Sequence, residues 1–418
     1  MLSTFLLPIL ALSAVSATPL AAPSIATRST KPVVGAWYAG WRAEDGFPLS
    51  YVSWEKYTTL YYSFAEPTQN ISTLSLAGSD GEMLPQFVTT AHANDVEAHI
   101  AVGGWTGSVW FSSHLSTAAN RTAFVQTVAD FALQYNLDGV QFDWEYPNHQ
   151  GIGCNTISVN DTANFLAFLQ ELRANPVAER LTLSAAVTLT PFNDATGSPS
   201  ADVSGFAKVL DYVSVMNYDV WGSWSSTVGP NAPLNDTCAA PANQQGSAVS
   251  AVKAWTDAGM PANQIVLGVA AYGHSFSVSP SNAFMPDAPE TLVGYPAFNA
   301  SNQPLGDAWD DTGSVDVCGV YEGPGGTYNF WGLIDDGFLT ETGAPANGIF
   351  YRYDNCSQTT YVYNETSQVM VSFDNIPSFA AKGEYIKDAG LRGFSMWQAG
   401  GDHNDLLLDS IIDAFGCN

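Results

Sequence analysis

Eight short apolar segments are the feature that most restricts the fold of this chain. Each is rich in β-branched and aromatic residues, as in strands buried on both faces of a parallel sheet. Residues 119–136 lie between the third apolar segment, 98–105, and the fourth, 138–146. Within them, apolar residues fall at helical spacing, at Phe124, Val128, Phe131 and Ala132. Repeated strand and helix units predict an α/β fold, a TIM (β/α)8 barrel. The segments are 33–41, 60–65, 98–105, 138–146, 181–187, 211–219, 264–273 and 391–397.

The interval between the seventh and eighth segments is far too long for a single helix. It runs from Gly273 to Leu391 and is rich in Gly, Pro, Asn and Tyr. Loops of this length inside a compact domain are uncommon, so we expect a small inserted α+β subdomain between strands 7 and 8. The resulting domain prediction is an insertion at 277–371 and a barrel formed by 31–276 and 372–418.

The amino-terminal residues predict secretion. The first 17 residues carry a long apolar stretch that ends in Ser16 and Ala17, as a cleavable signal peptide would, with Ala22 as a second candidate cleavage site. Residues 18–30 then form a short segment before the barrel. Seven N-x-Ser/Thr sequons fit a secreted, extracellular glycoprotein, at Asn70, Asn120, Asn160, Asn235, Asn299, Asn355 and Asn364.

Five cysteines are present, and an oxidising compartment favours their pairing. Their layout suggests the pairs Cys154–Cys238 and Cys318–Cys356, the second closing the insertion, with Cys417 left over. The spacing contains no C-x-x-C pair and no Cys/His cluster, so we expect no metal site.

The charge of the chain restricts its partners. Forty Asp and Glu against 13 Lys and Arg give a formal net charge of -27, which repels nucleic acid and anionic membrane surfaces. After the amino-terminal segment no stretch is long enough to span a membrane. The substrate is therefore expected to be neutral or cationic. An aromatic content of 12% suits sugars, which stack on aromatic rings, although a large core also consumes aromatic residues.

The fourth segment, DGVQFDWEYP at 138–147, carries two carboxylates on one face. Strand alternation directs Gln141, Asp143 and Glu145 to one side and the intervening apolar residues to the other. The carboxylates then lie about 6 to 7 Å apart along the strand. A solvated acidic face of an antiparallel strand is the alternative explanation. In a barrel, however, both faces are covered and the carboxyl ends of strands hold catalytic groups.

Two neighbouring carboxylates differ in acidity, because negative charge on one raises the pKa of the other. We expect Glu145 to stay protonated as a general acid and Asp143 to be its ionised, orienting partner.

This segment resembles the DxxDxDxE signature of chitinases of glycoside hydrolase family eighteen, including the Tyr146 and Pro147 that follow it. The resemblance extends over most of the chain. AVGGW resembles the SxGG strand, MNYD at 216–219 the Met-x-Tyr-Asp strand, and GFSMW at 393–397 the closing strand. The long interval after the seventh strand resembles the chitinase insertion domain of the family. The resemblance thus implies chitin or chitooligosaccharides as substrate.

The resemblance also implies a retaining hydrolysis in which the substrate supplies the nucleophile. Glu145 would protonate the glycosidic oxygen while the 2-acetamido group of the sugar attacks the anomeric carbon and forms an oxazolinium ion. Asp143 would hold the acetamido N–H, and Tyr218 would bind the acetamido oxygen. This chemistry needs no cofactor, and we expect a monomer.

Further residues are implied as substrate contacts. Trp397 would lie under the distorted sugar, and Trp105 would stack on the leaving-group side, while core filling is an alternative role for Met216 and Trp397. The full set of implied contacts is Trp105, Gln141, Tyr146, Met216, Asp219, Trp397, Trp37 and Phe64.

Three positions depart from the family pattern. Gln141 replaces the middle Asp of the signature, and Ala101 replaces the Ser of SxGG. An amide can hydrogen-bond Asp143 but cannot share a proton with it, so the coupling of pKa values is expected to be weaker. His274 stands where the family often has Arg, and is otherwise expected to be an ordinary loop residue. The rival functions are an endo-β-N-acetylglucosaminidase acting on N-glycans and an inactive chitin-binding lectin.

Overall fold

The computed structural model describes residues 31–416. The predicted signal peptide at 1–17, the segment at 18–30 and Cys417 lie outside the described residues. Within 31–416, every helix is too short or too polar to cross a bilayer.

Eight parallel strands form a closed barrel, which confirms the predicted TIM barrel. Each strand pairs with the next one along the chain, and the first strand pairs with both the second and the eighth. The strands are almost wholly buried, because the interior and the surrounding helices cover both faces. The barrel strands are Val33–Ala39, Thr59–Pro67, Glu97–Gly103, Gly139–Asp143, Thr182–Val187, Tyr212–Val215, Ile265–Ala270 and Gly393–Trp397.

Helices surround the barrel and bury their apolar faces against it. The predicted helix at 119–136 is confirmed as Ala118–Tyr135. The Thr117 side chain accepts the Asn120 N–H at its start, and Asn136 ends it in the left-handed conformation. The α-helices are Met83–Ala93, Gly104–Gly107, Phe111–Leu115, Ala118–Tyr135, Asp161–Arg173, Ser204–Val209, Ala248–Asp257, Pro280–Ala283, Phe330–Asp335, Ile376–Asp388 and Leu406–Phe415.

An α+β subdomain is inserted between the seventh and eighth barrel strands, as predicted. Its core is an antiparallel sheet with the strand order Thr327–Asn329, Tyr272–Ser277, Val369–Phe373, Thr359–Asn364 and Phe350–Asp354. The sheet begins before and ends after the predicted limits 277–371, because its first strand follows the seventh barrel strand after one residue. The remaining short strands are Leu74–Ser75, Phe284–Met285, Ala288–Leu292, Ser314–Val315 and Tyr321–Glu322.

The two disulfides join the insertion to the barrel, so the predicted pairings were wrong. Cys154 pairs with Cys318 and Cys238 pairs with Cys356, at Cα separations of 5.5 and 6.0 Å. Cys154 and Cys238 lie in the loops after the fourth and sixth barrel strands, and each loop meets a different part of the insertion. The layout along the chain contained no information about these meetings in space.

All seven sequon asparagines are at least partly exposed, which leaves them accessible to a glycosyl group. Their glycosylation stays a prediction.

A buried ion pair connects the end of the insertion to the barrel helix that follows. Asp374 comes directly after the last strand of the insertion, and its carboxylate accepts a hydrogen bond from Lys382 in helix Ile376–Asp388. Both side chains are fully buried. Because neither charge reaches water, each depends on the other for compensation.

We therefore expect Lys382→Met to lower the free energy of unfolding by roughly 3 to 5 kcal/mol, since it leaves a buried carboxylate unpaired. The matched control is Lys253→Met, which breaks the exposed pair with Asp257 and should cost at most about 0.5 kcal/mol. Urea unfolding followed by circular dichroism measures both. Similar losses for the two variants would contradict the importance of the buried pair.

Candidate active site

The carboxyl ends of the barrel strands bring the candidate residues to one opening. Glu145 lies two residues beyond the fourth strand, Tyr218 three residues beyond the sixth, and Trp397 ends the eighth. Barrel enzymes hold their catalytic groups at this end. We call this opening, with the side chains that line it, the cleft.

The fourth strand separates its two faces by alternation. Phe142 and Trp144 face the surrounding helices, where their rings lie 5.3 Å from those of Phe168 and Phe111 respectively. The opposite face, which carries Gln141, Asp143 and Glu145, consequently points to the barrel interior and the cleft.

Gln141 lies in a buried polar layer below the cleft. Its amide oxygen accepts a hydrogen bond from Trp37 Nε1 at 2.7 Å, and its amide nitrogen donates to Ser214 at 3.1 Å and Ser184 at 3.4 Å. Trp37 thus serves to hold Gln141. The structure records no hydrogen bond between Gln141 and Asp143 among residues 31–416, because the Gln141 amide is committed to these other partners.

The carboxyl of Asp143 is buried, and its hydrogen-bonding capacity is not fully used. The residue is 4% exposed, and one carboxylate oxygen, Oδ1, has no hydrogen-bond partner among residues 31–416. Burial raises the pKa of Asp143 to about 7. We expected an ionised Asp143, whereas the structure favours its neutral form below neutral pH.

The pKa of Glu145 is raised well above its usual range. Burial is the largest cause, followed by the negative charge of Asp143 and, with a smaller effect, that of Asp219. A carboxyl that keeps its proton in this way is suited to general acid catalysis.

Two polar side chains fix the backbone of Glu145, and neither was identified from the sequence. Ser108 Oγ accepts the Glu145 N–H at 2.8 Å and lies 3.2 Å from the Asp143 carbonyl oxygen. Asn155 Nδ2 donates to the Glu145 carbonyl oxygen at 2.7 Å. Ser108 begins the short 3-10 helix Ser108–Trp110 and Asn155 lies in the loop after the fourth strand, and no sequence motif marks either.

Tyr218 and Asp219 line the side of the cleft formed by the sixth strand. Burial, and then the negative charge of Asp143, raise the pKa of Tyr218, so its hydroxyl stays a donor. Asp219 accepts a hydrogen bond from the Tyr272 hydroxyl at 2.7 Å, and its carboxylate lies 2.7 Å from His274 Nε2. The insertion is thereby attached to the cleft.

His274 was predicted to be an ordinary loop residue, and this was wrong. It lies in the strand Tyr272–Ser277, where its side chain is largely buried and contacts Asp219. The exposed ring of Trp224, also not identified from the sequence, lies edge-on 5.4 Å from that of His274.

Aromatic rings form a floor around Trp397. Its ring stacks on Phe64 at 5.6 Å and lies 5.9 Å from Trp37 and 6.4 Å from Trp41. Met216 is half-buried in the same apolar cluster as Trp397, so both side chains fill space and face the cleft. Trp41 was missed, although its place at the end of the first apolar segment was a usable signal.

The remaining predicted contacts are Trp105 and Tyr146, and the Tyr146 hydroxyl lies close enough to the Glu145 carboxyl to affect its pKa. Trp105 is 49% exposed on the short helix Gly104–Gly107, and the structure records no ring contact between it and the floor. Tyr146 lines a cavity of about 300 Å³ together with His149 and part of segment 186–193. Among residues 31–416, the structure contains no group of three or more His, Cys, Asp or Glu arranged to hold a metal ion.

Comparison with known proteins identifies relatives of this arrangement. The family model "Glycosyl hydrolases family 18" matches residues 33–402. A protein of Moniliophthora roreri described as a chitinase-like effector is 54% identical over 384 residues, which cover 92% of this chain and 93% of that protein.

Two solved structures share the fold. A chitinase from Rhizomucor miehei superposes with a TM-score of 0.81 at 33% identity, covering 91% of this chain and 99% of that one. A double mutant of a family 18 chitinase from Cycas revoluta, in complex with (GlcNAc)4, has a TM-score of 0.72 at 25% identity, with coverage of 91% and 99%.

The raised pKa of Asp143 predicts a pH-dependent gain in stability for Asp143→Asn. A carboxyl whose pKa rises on folding leaves the free energy of unfolding unchanged below its ordinary pKa of 3.8. It lowers the free energy of unfolding as pH rises from there through about 7. Between pH 4 and pH 8, the free energy of unfolding of the variant should rise relative to that of the wild type by at least about 1 kcal/mol, since a shift of one pKa unit corresponds to about 1.4 kcal/mol. Denaturant titrations at both pH values measure this.

The control is Asp130→Asn, at an exposed position on helix Ala118–Tyr135. Its stability difference from the wild type should not change between the two pH values. An equally constant difference for Asp143→Asn would contradict the raised pKa.

Proposed function

Because this chain belongs to glycosyl hydrolase family 18, we propose that it is a secreted chitinase that cleaves the β-1,4 bonds of N-acetylglucosamine polymers. The observation that carries the proposal is the meeting of Glu145, Asp143 and Tyr218 above the Trp397 floor. These groups provide an acid, an orienting carboxyl and a hydroxyl donor beside a surface for a sugar ring.

The proposed first step is protonation of the glycosidic oxygen by Glu145. Because its pKa is raised, this carboxyl keeps the proton that it must donate to the glycosidic oxygen. Ser108 Oγ accepts a hydrogen bond from the Glu145 N–H, Asn155 donates one to the Glu145 carbonyl oxygen, and together they hold the acid in position. As the C–O bond breaks, the proton stays with the departing sugar and Glu145 becomes a carboxylate.

The nucleophile is the acetamido oxygen of the substrate, which attacks the anomeric carbon and gives an oxazolinium ion. Asp143 accepts the acetamido N–H, and its unpartnered oxygen Oδ1 is available for this bond. Tyr218 donates to the acetamido oxygen. Positioning of this kind makes a weak internal nucleophile effective. Water, deprotonated by Glu145, then opens the ring with net retention of configuration.

The proposed contacts with the substrate are made by the aromatic rings of the floor and by Trp105. Trp397 stacks on the sugar whose bond is cleaved, with Trp41 and Phe64 beside it, while the exposed ring of Trp105 meets the leaving group. Chitin and chitooligosaccharides are the proposed partners, and the Cycas revoluta relative with (GlcNAc)4 supports this class. We also propose that the protein acts outside the cell as a monomer.

A second candidate function is chitooligosaccharide binding with little catalysis. The observation that favours it is the missing partner of Asp143. Gln141 is hydrogen-bonded to Trp37 and two serines, and its amide cannot share a proton with Asp143 as a carboxyl at that position would. An Asp143 that stays neutral at mildly acidic pH offsets less positive charge on the oxazolinium ion.

Glu145→Gln tests the proposed function. The amide cannot donate a proton to the leaving group, so hydrolysis of (GlcNAc)4 should fall by about 10² to 10⁴-fold while its affinity is kept. Chromatography of products and calorimetric titration measure the two effects. The control is Glu179→Gln, far along the chain at an exposed position, which should leave both unchanged.

A wild-type protein that binds (GlcNAc)4 without cleaving it would support the second candidate instead. If Glu145→Gln and the wild type cleave at equal rates, Glu145 is not the acid.

The double variant Gln141→Asp, Ala101→Ser tests whether the polar layer limits catalysis. These positions are paired neighbours in the third and fourth strands, and the variant places a carboxyl beneath Asp143. We expect kcat on (GlcNAc)4 to rise by about tenfold, equivalent to about 1.4 kcal/mol of barrier, with a changed pH profile. A folded double variant with unchanged or lower kcat would show that Gln141 does not restrain the reaction.

A further inference from the structure

Residues 311–325 of the insertion form a largely exposed hairpin. Its two short strands, Ser314–Val315 and Tyr321–Glu322, pair with each other. Most of its side chains are exposed, including apolar ones, with Val315 at 66% and Tyr321 at 67% exposure. Apart from the tip at Cys318, the hydrogen bonds recorded for this segment within residues 31–416 are internal. We call residues 311–325 the strap.

The base of the strap is fixed beside the aromatic floor. The Asp310 carboxylate accepts the N–H groups of Gly306, Gly326 and Thr327 at 2.8 to 3.0 Å, which closes the base. The neighbouring residue Trp309 lies under the Arg42 guanidinium at 4.8 Å and accepts an Arg42 hydrogen bond at its carbonyl oxygen. Arg42 directly follows Trp41 of the floor.

The tip of the strap is fixed beside the catalytic acid. Cys318 forms its disulfide with Cys154, in the loop that follows Glu145. This loop contacts Glu145 closely. Asn155 donates to the Glu145 carbonyl oxygen, and a Cβ added to Gly151 would lie 2.1 Å from that same oxygen.

The strap is long enough to connect these two places, but weak without its disulfide. The seven residue-to-residue steps from Asp311 to Cys318 reach roughly 23 Å when extended, at about 3.3 Å per step. An isolated two-stranded hairpin is marginally stable, and this one buries little apolar surface. The disulfide is therefore what keeps the tip at the loop of Glu145.

We propose that the Cys154–Cys318 disulfide holds residues 311–325 across the cleft, so that a polysaccharide must pass beneath the strap to reach Glu145. The proposal rests on the proposed function, in that the cleft accepts N-acetylglucosamine chains. The strap runs from its base at Arg42, the residue after Trp41 of the floor, to the loop of Glu145, and the proposal places a chain that lies on the floor and reaches the acid below it.

A specificity follows from this arrangement. A bare chain or a short oligosaccharide fits beneath the strap, whereas a chain with substituents on its hydroxyl groups is excluded by steric clash. The strap thus acts as a specificity determinant that selects unsubstituted chains, and it does so without contacting the reacting atoms.

The test compares two substrates, (GlcNAc)4 and glycol chitin, a soluble chitin whose hydroxyl groups carry hydroxyethyl ethers. The first variant is Cys154→Ala, Cys318→Ala, which frees the tip. In the second, two glycines replace residues 312–324 in the Cys154→Ala background, which removes the strap. The matched control is Cys238→Ala, Cys356→Ala, which breaks the other bond between insertion and barrel and leaves the strap in place.

We expect both strap variants to raise the ratio of kcat/KM on glycol chitin to kcat/KM on (GlcNAc)4 by about tenfold, equivalent to about 1.4 kcal/mol. The control should leave the ratio unchanged. Circular dichroism and thermal unfolding establish whether each variant is folded. If Cys154→Ala, Cys318→Ala does not fold, the variant in which two glycines replace residues 312–324 provides the test. A folded strap variant with the wild-type ratio would overturn the proposal, as would a control that changes the ratio equally.

Failure of the proposed function gives a different result. A wild-type protein that cleaves neither substrate lacks the proposed activity, and the strap is then tested by affinity. Removal of the strap should raise the affinity for glycol chitin about tenfold relative to (GlcNAc)4, and an unchanged ratio of affinities would overturn the proposal.

Discussion

The first barrel strand forms hydrogen bonds along both edges, to the second strand and to the eighth, and the rest of the structure depends on this closure. A closed parallel barrel leaves no edge and brings all eight carboxyl ends to one ring. Residues far apart in the chain, such as Trp37, Glu145 and Trp397, meet there. The insertion adds a wall to this ring, and two disulfides join that wall to the loops after the fourth and sixth strands.

Closure also sets the electrostatics of the cleft. Because the interior of the barrel excludes water, carboxyls that point into it retain their protons, and burial is the largest cause of the raised pKa of both Asp143 and Glu145. Gln141 is fully satisfied by Trp37 and two serines, whereas Asp143 keeps an unpartnered oxygen. The fold therefore holds an uncompensated group beside the acid, and an acetamido N–H would compensate it.

The features that depend on local pattern could be predicted from the sequence. Alternation placed Gln141, Asp143 and Glu145 on one face, and helical spacing located the helix Ala118–Tyr135. The disulfide partners could not be predicted, because they depend on which loops meet in the folded chain. His274 was misassigned for a similar reason, since its contact with Asp219 requires the insertion strand to return to the barrel. Trp41 could have been predicted from its position at the end of the first apolar segment. Ser108 and Asn155 could not, because they act through backbone contacts that no sequence motif marks.

The central claim is that the acetamido group of the substrate, positioned by Asp143 and Tyr218, is the nucleophile. It is tested most directly by proton NMR of the reducing-end anomer formed in the first minutes of (GlcNAc)4 hydrolysis by the wild-type protein. The account predicts that the β-anomer appears first and that the α-anomer grows later by mutarotation, because the oxazolinium route retains configuration. Initial release of the α-anomer, or binding of (GlcNAc)4 with no product at all, would contradict it.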